Sequence, residues 1–258
     1  IAGLWTDGRY FLQAEEQLDG TTITMFKSGE EGTPKVSEFL NKNLQEGAKI
    51  GFDGRAVNYK TAQNIKKRTA DKKMTFVYNK DLVGEIWENR PALSAEPAML
   101  LEECYTGKSR ADKITMIRGL MEEKKADYFV LSSLDDIAWL LNIRGNDVMC
   151  NPVVLSYLAM TQDEVVLFVN ESVIKGAVQE ALAADGITFQ PYNNIYPYVT
   201  QIPEGKTLYV DEGKTNYAIL MNRKPGVTLL NGANLTALPK CMKNKTEIEN
   251  ERKAHIKD

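Results

Sequence analysis

Histidine restricts the chemistry of this chain more than any other side chain, because the sequence contains only one, His255. Imidazole is the commonest transition-metal ligand and the usual general base near neutral pH. Without a second histidine, the rest of the chain cannot form a Ser-His-Asp triad, a Cys-His pair or a zinc site with several histidines. Carboxylate-only chemistry remains possible. Most hydrolytic sites are therefore excluded away from the terminal segment that carries His255.

Polar side chains converge in one loop, between a capped apolar helix and a long apolar strand. Its residues are Asn142-Ile143-Arg144-Gly145-Asn146-Asp147, followed shortly by Asn151. Loops held between rigid elements are where binding groups concentrate. We therefore take Arg144, Asn146, Asp147 and Asn151 as candidate binding residues. The alternative is an ordinary solvated connection.

The segment Tyr105–Ser109 has a partial resemblance to a phosphate-binding loop. That motif requires a glycine five residues before Gly107, but the sequence has Glu102 there, and a carboxylate would repel phosphate. We interpret the segment as a flexible glycine followed by Ser109 as a helix cap. No G-x-G-x-x-G follows a predicted strand, so a dinucleotide site is not supported either.

Composition excludes two classes of partner. The chain has 258 residues, 26% of them charged, and a net charge of −3, so it has no global basic field that would attract nucleic acid or an anionic membrane. No apolar run approaches the roughly 20 residues of a membrane-spanning helix. The three cysteines, Cys104, Cys150 and Cys241, are far apart and indicate reduced thiols of a cytosolic protein.

The elements that must position these residues alternate between strand and helix patterns. Near the start, Gly3–Thr6 and Arg9–Gln13 are predicted as two strands of a hairpin turning at Asp7-Gly8. A second hairpin is predicted from 153–161 and 164–169, and a helix from 171–184. The tyrosines around Pro191 and Pro197 predict a packed loop or an interface rather than a stacking platform. The whole pattern favours an α/β fold with two consecutive domains, each built on a mixed β-sheet flanked by helices.

Three helix starts are predicted from polar residues at capping spacing. Ser109 with Asp112, Ser133 with Asp136, and Thr246 with Glu249 each precede an apolar helical pattern. The last helix has no stop signal before Asp258, and the chain opens without a methionine. We therefore expect a piece of a longer polypeptide, with apolar residues of the last helix exposed.

Three stretches in order along the chain resemble one family, the cytosolic-type aminopeptidase P or Xaa-Pro aminopeptidases. LWTDGRYFLQA at 4–14 resembles its first domain. IAWLLNIRGNDV at 137–148, with Asn151-Pro152-Val153 and Ser156-Tyr157, resembles its second domain. KNKTEIE at 243–249, with Arg252-Lys253-Ala254-His255, resembles the start of its catalytic domain.

The resemblance implies a three-domain enzyme whose first two domains have the creatinase N-terminal-like fold. It implies domain one at 1–93 with its start missing, a linker at 94–107, and domain two at 108–240. Residues 241–258 are then a linker and the first helix of a missing catalytic domain of the pita-bread fold. In the family that domain holds two divalent metal ions, taken here as manganese, through two Asp, one His and two Glu. None of these ligands is carried over to this chain, and His255 precedes them.

The implied function is that of a non-catalytic N-terminal portion of a metal-dependent Xaa-Pro aminopeptidase, inactive alone. The domains would shape access for short peptides with proline second, and Arg144, Asn146, Asp147 and Asn151 would form a substrate-access loop. The implied partners are its own catalytic domain and a second copy in a homodimer, in the cytoplasm. The alternatives are a free-standing binding or assembly module, or the N-terminal part of a prolidase or creatinase relative.

Overall fold

A computed structural model describes residues 2–258, which fold as two compact units. Unit 1 consists of the chain up to Asp53 together with Lys60–Lys80. Unit 2 consists of Gly54–Tyr59 and Asp81–Asp258. Because the short segment 54–59 belongs to unit 2, the two units interleave along the sequence.

Unit 1 alternates short strands and helices. Its elements are β1 (Ala2–Thr6), α1 (Phe11–Leu18), β2 (Ile23–Lys27), α2 (Val36–Asn43), β3 (Lys49–Gly51), α3 (Tyr59–Arg68, whose first residue is counted with unit 2) and β4 (Thr75–Val77). β1 pairs with β2 and β3 with β4, both in parallel. Each parallel pair is joined by a helical crossover, as parallel strands require.

An aromatic cluster packs the first strand pair of unit 1. The Trp5 and Phe26 rings stack with centroids 4.1 Å apart, and Phe39 of α2 meets both edge-on. The Trp5 indole donates a 2.8 Å hydrogen bond to the carbonyl of Pro34. The apolar body of Trp5 is therefore packed while its polar N–H is satisfied, which fixes the connection into α2.

The predicted hairpin at Asp7-Gly8 is wrong. The Asp7 carboxylate accepts a hydrogen bond from the backbone N–H of Arg9 and caps a 3-10 turn over Gly8–Tyr10, which leads into α1. Asp-Gly can begin a helix as well as turn a hairpin, because the aspartate side chain satisfies free N–H groups at a helix start. The strand partner of β1 is instead β2, in parallel.

Unit 2 contains the larger sheet and most of the helices. Its elements are β5 (Met99–Leu100), α4 (Glu103–Thr106), α5 (Arg110–Glu123), β6 (Tyr128–Leu131), α6 (Leu134–Leu141), β7 (Ile143–Arg144), β8 (Ser156–Met160), β9 (Val165–Val169), α7 (Ala177–Ala184), β10 (Ile187–Pro191), α8 (Ile195–Gln201), β11 (Thr207–Val210), α9 (Tyr217–Met221), β12 (Thr228–Asn231), α10 (Ala237–Cys241) and α11 (Lys245–Lys257).

The large sheet of unit 2 is mixed, in the order β10-β9-β8-β6-β11-β12. β8 runs antiparallel to both neighbours, and all other pairs are parallel. The predicted hairpin at 153–169 is confirmed as the β8–β9 pair. β5 and β7 form a separate antiparallel pair. The α/β class predicted from the sequence is confirmed.

Helices cover both faces of this sheet, so its central strands are buried on both sides. Successive residues show the period of two: Leu158 packs among α5, α6 and α7, whereas Tyr157 and Ala159 face α8 and α9. Unit 2 therefore has three layers, with the sheet between two layers of helices and an apolar core on each face of the sheet. Among the described residues, no helix is both long enough and apolar enough to cross a bilayer.

Ser109 caps its helix as predicted, since its hydroxyl accepts from the backbone N–H of Asp112 at 3.1 Å. The capping box at Ser133 is wrong, because the Ser133 hydroxyl accepts from the side chain of Asn234 instead. The final capping box lies two residues earlier than predicted: Asn244 and Glu247 exchange the bonds. The three helices follow where predicted, but only the Ser109 cap forms as predicted.

Two other predictions for unit 2 are wrong. The helix predicted at 171–184 begins only at Ala177, after Gly176. The predicted Pro/Tyr loop is helical, with a 3-10 turn at Tyr192–Asn194 leading into α8. Pro197 lies in the first turn of α8, where its missing N–H costs no intrahelical bond.

The segment 54–59 is bound within unit 2 by backbone hydrogen bonds. The N–H of Tyr59 donates to Thr215, the N–H of Tyr217 donates to Val57, and the N–H of Ala218 donates to Gly54, at 2.8–2.9 Å. The Tyr59 and Tyr217 rings stack with centroids 5.6 Å apart. The start of α9 is therefore completed by residues far away in the sequence.

Candidate functional site

The predicted polar loop starts at a left-handed residue. Asn142 ends α6 with φ 51°, a conformation that asparagine tolerates better than most residues. Its carbonyl accepts a 2.8 Å hydrogen bond from Leu101. The chain then continues directly into β7, where Arg144 pairs with Met99 of β5. The backbone of Arg144 is thus fixed by strand pairing rather than lying in a free loop.

Gly145 allows the loop to fold back on itself. Its N–H donates to the carbonyl of Pro152, and a Cβ at this position would lie 2.7 Å from a Val154 methyl group and 2.9 Å from the Val153 carbonyl. Only a residue without a side chain fits such a close approach. The loop from 145 to 155 is therefore closed at its base by a specific requirement for glycine.

The guanidinium group of Arg144 is anchored by the backbone. Its Nη1 donates to the carbonyls of Ala138, at 3.0 Å, and Ile143, at 2.8 Å. The side chain is half-buried, and this burial lowers the pKa of Arg144 from its usual value, while the charge of Asp135 acts in the opposite direction. Arg144 therefore keeps its charge in a partly desolvated position with a fixed orientation.

Asp147 braces the loop through its carboxylate. One oxygen accepts from the backbone N–H of Leu155 at 2.8 Å, and the other accepts from the N–H of Glu96 at 3.2 Å. Asn146, next to it, is exposed. The Asp147 side chain thus joins the loop base to the segment before β5.

A cleft of about 330 Å³ lies beside this loop and is confined to unit 2. Its walls come from α4, α6, β7, the polar loop, α10 and α11. The lining residues are Tyr105, Asp135, Ala138, Trp139, Arg144, Asn151, Pro152, Val153, Lys240, Lys243, Glu247 and Asn250. The volume is at the lower end of the range for small-ligand cavities.

The structure brings together two of the four predicted residues. Arg144 and Asn151 line the cleft, whereas Asn146 and Asp147 do not. Trp139, Tyr105 and the two lysines were not predicted as site residues. Their signal in the sequence is weak, because they come from four elements and each is an ordinary member of a helix or turn.

A buried lysine contacts the backbone of one cleft residue and the side chain that begins the polar loop. Lys113 of α5 is 1% exposed, and its ammonium group donates to the carbonyl of Trp139 at 2.8 Å and to the side-chain oxygen of Asn142 at 2.6 Å. Burial lowers the pKa of Lys113 to about 8, with Glu247 acting in the opposite direction. Sequence reasoning missed this residue, although Lys113, Ile117 and Met121 have the spacing of one helix face.

A second buried group fixes α10 against α6. The ammonium of Lys240 lies 2.6 Å from a carboxylate oxygen of Asp136, and the other oxygen accepts from Asn234 at 2.9 Å. Asp136 is only 6% exposed. The charge of Lys240 is therefore already compensated within the protein, although its side chain lines the cleft.

The cleft does not supply a set of metal ligands. In the part of the chain that the structure describes, no three His, Cys, Asp or Glu side chains are grouped to hold a metal ion. The cleft carboxylates are Asp135 and Glu247, and Glu247 already accepts from the backbone N–H of Asn244. These residues therefore do not form a site for the two metal ions that the resemblance implies.

Comparison with known families and proteins gives consistent matches. The chain matches two families described as "Creatinase/Prolidase N-terminal domain", at residues 2–85 and 89–247. It is 35% identical over its whole length to "Probable Xaa-Pro aminopeptidase P" of Coprinopsis cinerea, and covers 44% of that protein. It is 34% identical over 99% of its length to "Xaa-Pro aminopeptidase 1" of Dictyostelium discoideum, and covers 42% of it.

A solved structure matches nearly the whole chain. The X-prolyl aminopeptidase of Caenorhabditis elegans, described as a cytosolic enzyme with a di-nuclear active site, superposes with a TM-score of 0.90. The two are 30% identical, and the match covers 98% of this chain and 42% of the other. The chain thus spans less than half the length of these relatives.

These matches confirm the resemblance to Xaa-Pro aminopeptidases. They also confirm the creatinase-like fold that this resemblance implied. The two family matches together extend over nearly all of the described residues, and the larger one alone covers more than half of the chain. The chain therefore belongs to the creatinase/prolidase N-terminal domain family.

Proposed function

We propose that the chain provides the non-catalytic N-terminal domains of a metal-dependent Xaa-Pro aminopeptidase. Such an enzyme removes the N-terminal residue that precedes a proline. The observation that carries the proposal is the fold agreement with the C. elegans enzyme, at a TM-score of 0.90 over 98% of this chain. The names of the relatives from C. cinerea and D. discoideum support the same activity.

The proposal divides the chemistry between domains. A separate catalytic domain would hold two divalent metal ions, which we take to be manganese, and bound metal ions of this kind lower the pKa of a water and stabilise developing negative charge. The present chain would shape the access of short peptides with proline second, and would contribute to a homodimer. Arg144, Asn146, Asp147 and Asn151 would form part of the access route.

We also propose the domain limits and the location. Domain one would occupy 1–93, a linker 94–107, domain two 108–240, and residues 241–258 would lead into the catalytic domain. The cytosolic description of the C. elegans enzyme supports a cytoplasmic location. Limited proteolysis with mass spectrometry tests the limits, and the first cuts between the domains are expected before β5, in residues 81–98, which contain no helix or strand.

The activity is tested with the full-length product of the gene and with the 258-residue chain, both supplied with manganese and an Xaa-Pro-Xaa peptide. We expect the full-length product to release the first residue and the 258-residue chain to release none. Failure of the full-length product to cleave would overturn the aminopeptidase assignment and favour a binding or assembly module. Turnover by the 258-residue chain would overturn its non-catalytic role.

A further inference from the structure

Arg118, Arg144 and Arg223 are half-buried arginines without an ion-pair partner among residues 2–258, and of the three only Arg144 lines the cleft. No carboxylate oxygen of residues 2–258 lies within 4 Å of the Arg144 guanidinium group, although two backbone carbonyls accept from its Nη1. Arg110 offers the comparison: its side chain is 13% exposed and it pairs with Asp185 at 2.7 Å. Arg144 is thus a partly desolvated cation whose charge has no ion-pair partner in the described chain.

The remaining donors of Arg144 are available to a ligand. Its hydrogen bonds to protein involve Nη1 only, which leaves Nη2 and Nε without a hydrogen-bond acceptor among the described residues. Two adjacent N–H groups of a guanidinium match the two oxygens of a carboxylate. Because Nη1 is anchored, binding would immobilise little further side-chain freedom.

The cleft around Arg144 combines aromatic walls with few free charges. Trp139 and Tyr105 line it, and Trp139 is held in place by Lys113. Lys240 is neutralised by Asp136, and Glu247 caps α11. The nearest open carboxylate is Asp135, which acts on the Arg144 pKa without forming an ion pair. Lys243 also lines the cleft without an ion pair among the described residues, but it is exposed and its ammonium group donates to the carbonyl of Lys240. Arg144 is therefore the half-buried cation of this cleft that is left without a carboxylate partner.

We propose that this cleft binds the C-terminal carboxylate of a short peptide, with Nη2 and Nε of Arg144 as donors and Trp139 and Tyr105 packed against the peptide. A cleft of about 330 Å³ suits a peptide of only a few residues. The inference rests on the proposed function, since it takes a peptide as the ligand. It adds a recognition group for the end of the substrate that is not cleaved.

The test compares two peptides that differ only at the C-terminus. The 258-residue chain is titrated by calorimetry with Ala-Pro-Ala and with its C-terminal amide. We expect the free acid to bind at least tenfold more tightly, and the preference to shrink as salt screens the charge. Equal binding of acid and amide, or no binding of either, would overturn the inference.

Variants assign the preference to one side chain. Arg144→Met is expected to abolish the preference for the acid, and Arg144→Lys to retain part of it. Arg223→Met is the matched control, because Arg223 is also half-buried and donates to a carbonyl but lies outside the cleft. Circular dichroism and the unfolding midpoint establish that each variant is folded. If Arg144→Met does not fold, the reduced preference expected of Arg144→Lys provides the test. A preference that persists in folded Arg144→Met, or that keeps its full native size in folded Arg144→Lys, would contradict the proposal.

The two proposals can fail separately. Cleavage of Xaa-Pro peptides by the full-length product, with equal binding of acid and amide here, would remove the carboxylate site and leave the aminopeptidase function standing. Selective binding of the acid with no cleavage by the full-length product would do the reverse.

Discussion

The ammonium group of Lys113 lies 4.6 Å from the centre of the Trp139 ring and donates a 2.8 Å hydrogen bond to the carbonyl of the same tryptophan. The same ammonium group also donates a hydrogen bond to the side-chain oxygen of Asn142, at the end of α6. One buried side chain from α5 thus holds both the cleft wall and the residue that begins the polar loop. Burial of a charge is unfavourable unless such contacts compensate for it.

Replacement of Lys113 is expected to destabilise unit 2. Lys113→Met keeps the length of the side chain but leaves the Trp139 carbonyl and the Asn142 side chain without their donor. The free energy of unfolding is expected to fall by about 1–3 kcal/mol in urea titrations near pH 7. Lys175→Met, at an exposed lysine of the same unit, is expected to stay within about 0.5 kcal/mol. Equal stabilities of the two variants would contradict the role given to Lys113.

Lys113 also predicts a pH dependence. Its pKa in the folded protein is about 8, below the usual 10.5, so the unfolded chain binds more protons between these values. The free energy of unfolding of the native chain should therefore rise with pH from about 8 to about 10.5, relative to Lys113→Met. Urea titrations of both proteins across this range measure the difference. If the difference in unfolding free energy between the two proteins stays constant or shrinks with rising pH, burial does not lower the pKa of Lys113.

Asp147 and Asn146 provide a matched pair for the loop. Asp147→Ala removes the acceptor of two backbone N–H groups, those of Leu155 and Glu96. We expect a loss of about 1–3 kcal/mol and faster hydrogen exchange at these two amides. Asn146→Ala, at an exposed side chain, should change neither. Unchanged exchange at Leu155 in Asp147→Ala would exclude the bracing role.

Gly145 and Gly119 are expected to respond to alanine in opposite directions. At Gly145 the new methyl group would meet Val154 and the Val153 carbonyl below 3 Å, so the loop must shift and stability should fall. At Gly119, in the middle of α5, no atom lies within 4 Å of the new methyl group. Alanine should therefore stabilise that helix by up to about 1 kcal/mol. Thermal unfolding of the two variants gives the comparison, and a loss at Gly119 would contradict it.

Local sequence patterns were sufficient to predict those elements of unit 2 that are determined by residues close together in the sequence. The β8–β9 hairpin follows from two apolar runs around Gln162-Asp163, and α5 follows from Ser109 and its apolar stripe. The same kind of reasoning failed at Asp7-Gly8, where one pair of residues is compatible with two structures. The deciding interaction there is the parallel pairing of β1 with β2, which no short segment specifies.

The candidate site was only partly predictable for the same reason. Arg144 and Asn151 could be proposed because their polar loop interrupts an apolar pattern. In the sequence, Trp139 resembles the other apolar residues of α6, and Lys113 resembles an ordinary surface lysine. Their joint role depends on the packing of α5 against α6, which brings together residues 26 positions apart. Asn244 likewise has a distant partner, since its side-chain amide donates to the Thr106 carbonyl while its oxygen caps α11.

The threading of Gly54–Tyr59 into unit 2 has a consequence for how the protein is made and dissected. A ribosome releases this segment about 160 residues before Thr215, Tyr217 and Ala218, its hydrogen-bonding partners, so these hydrogen bonds form only after the intervening chain has been made. A recombinant piece starting at Asp81 would lack the segment altogether. The carbonyl of Thr215 and the N–H groups of Tyr217 and Ala218 would then lose their hydrogen-bond partners. Unit 2 is therefore best expressed together with residues 54–59.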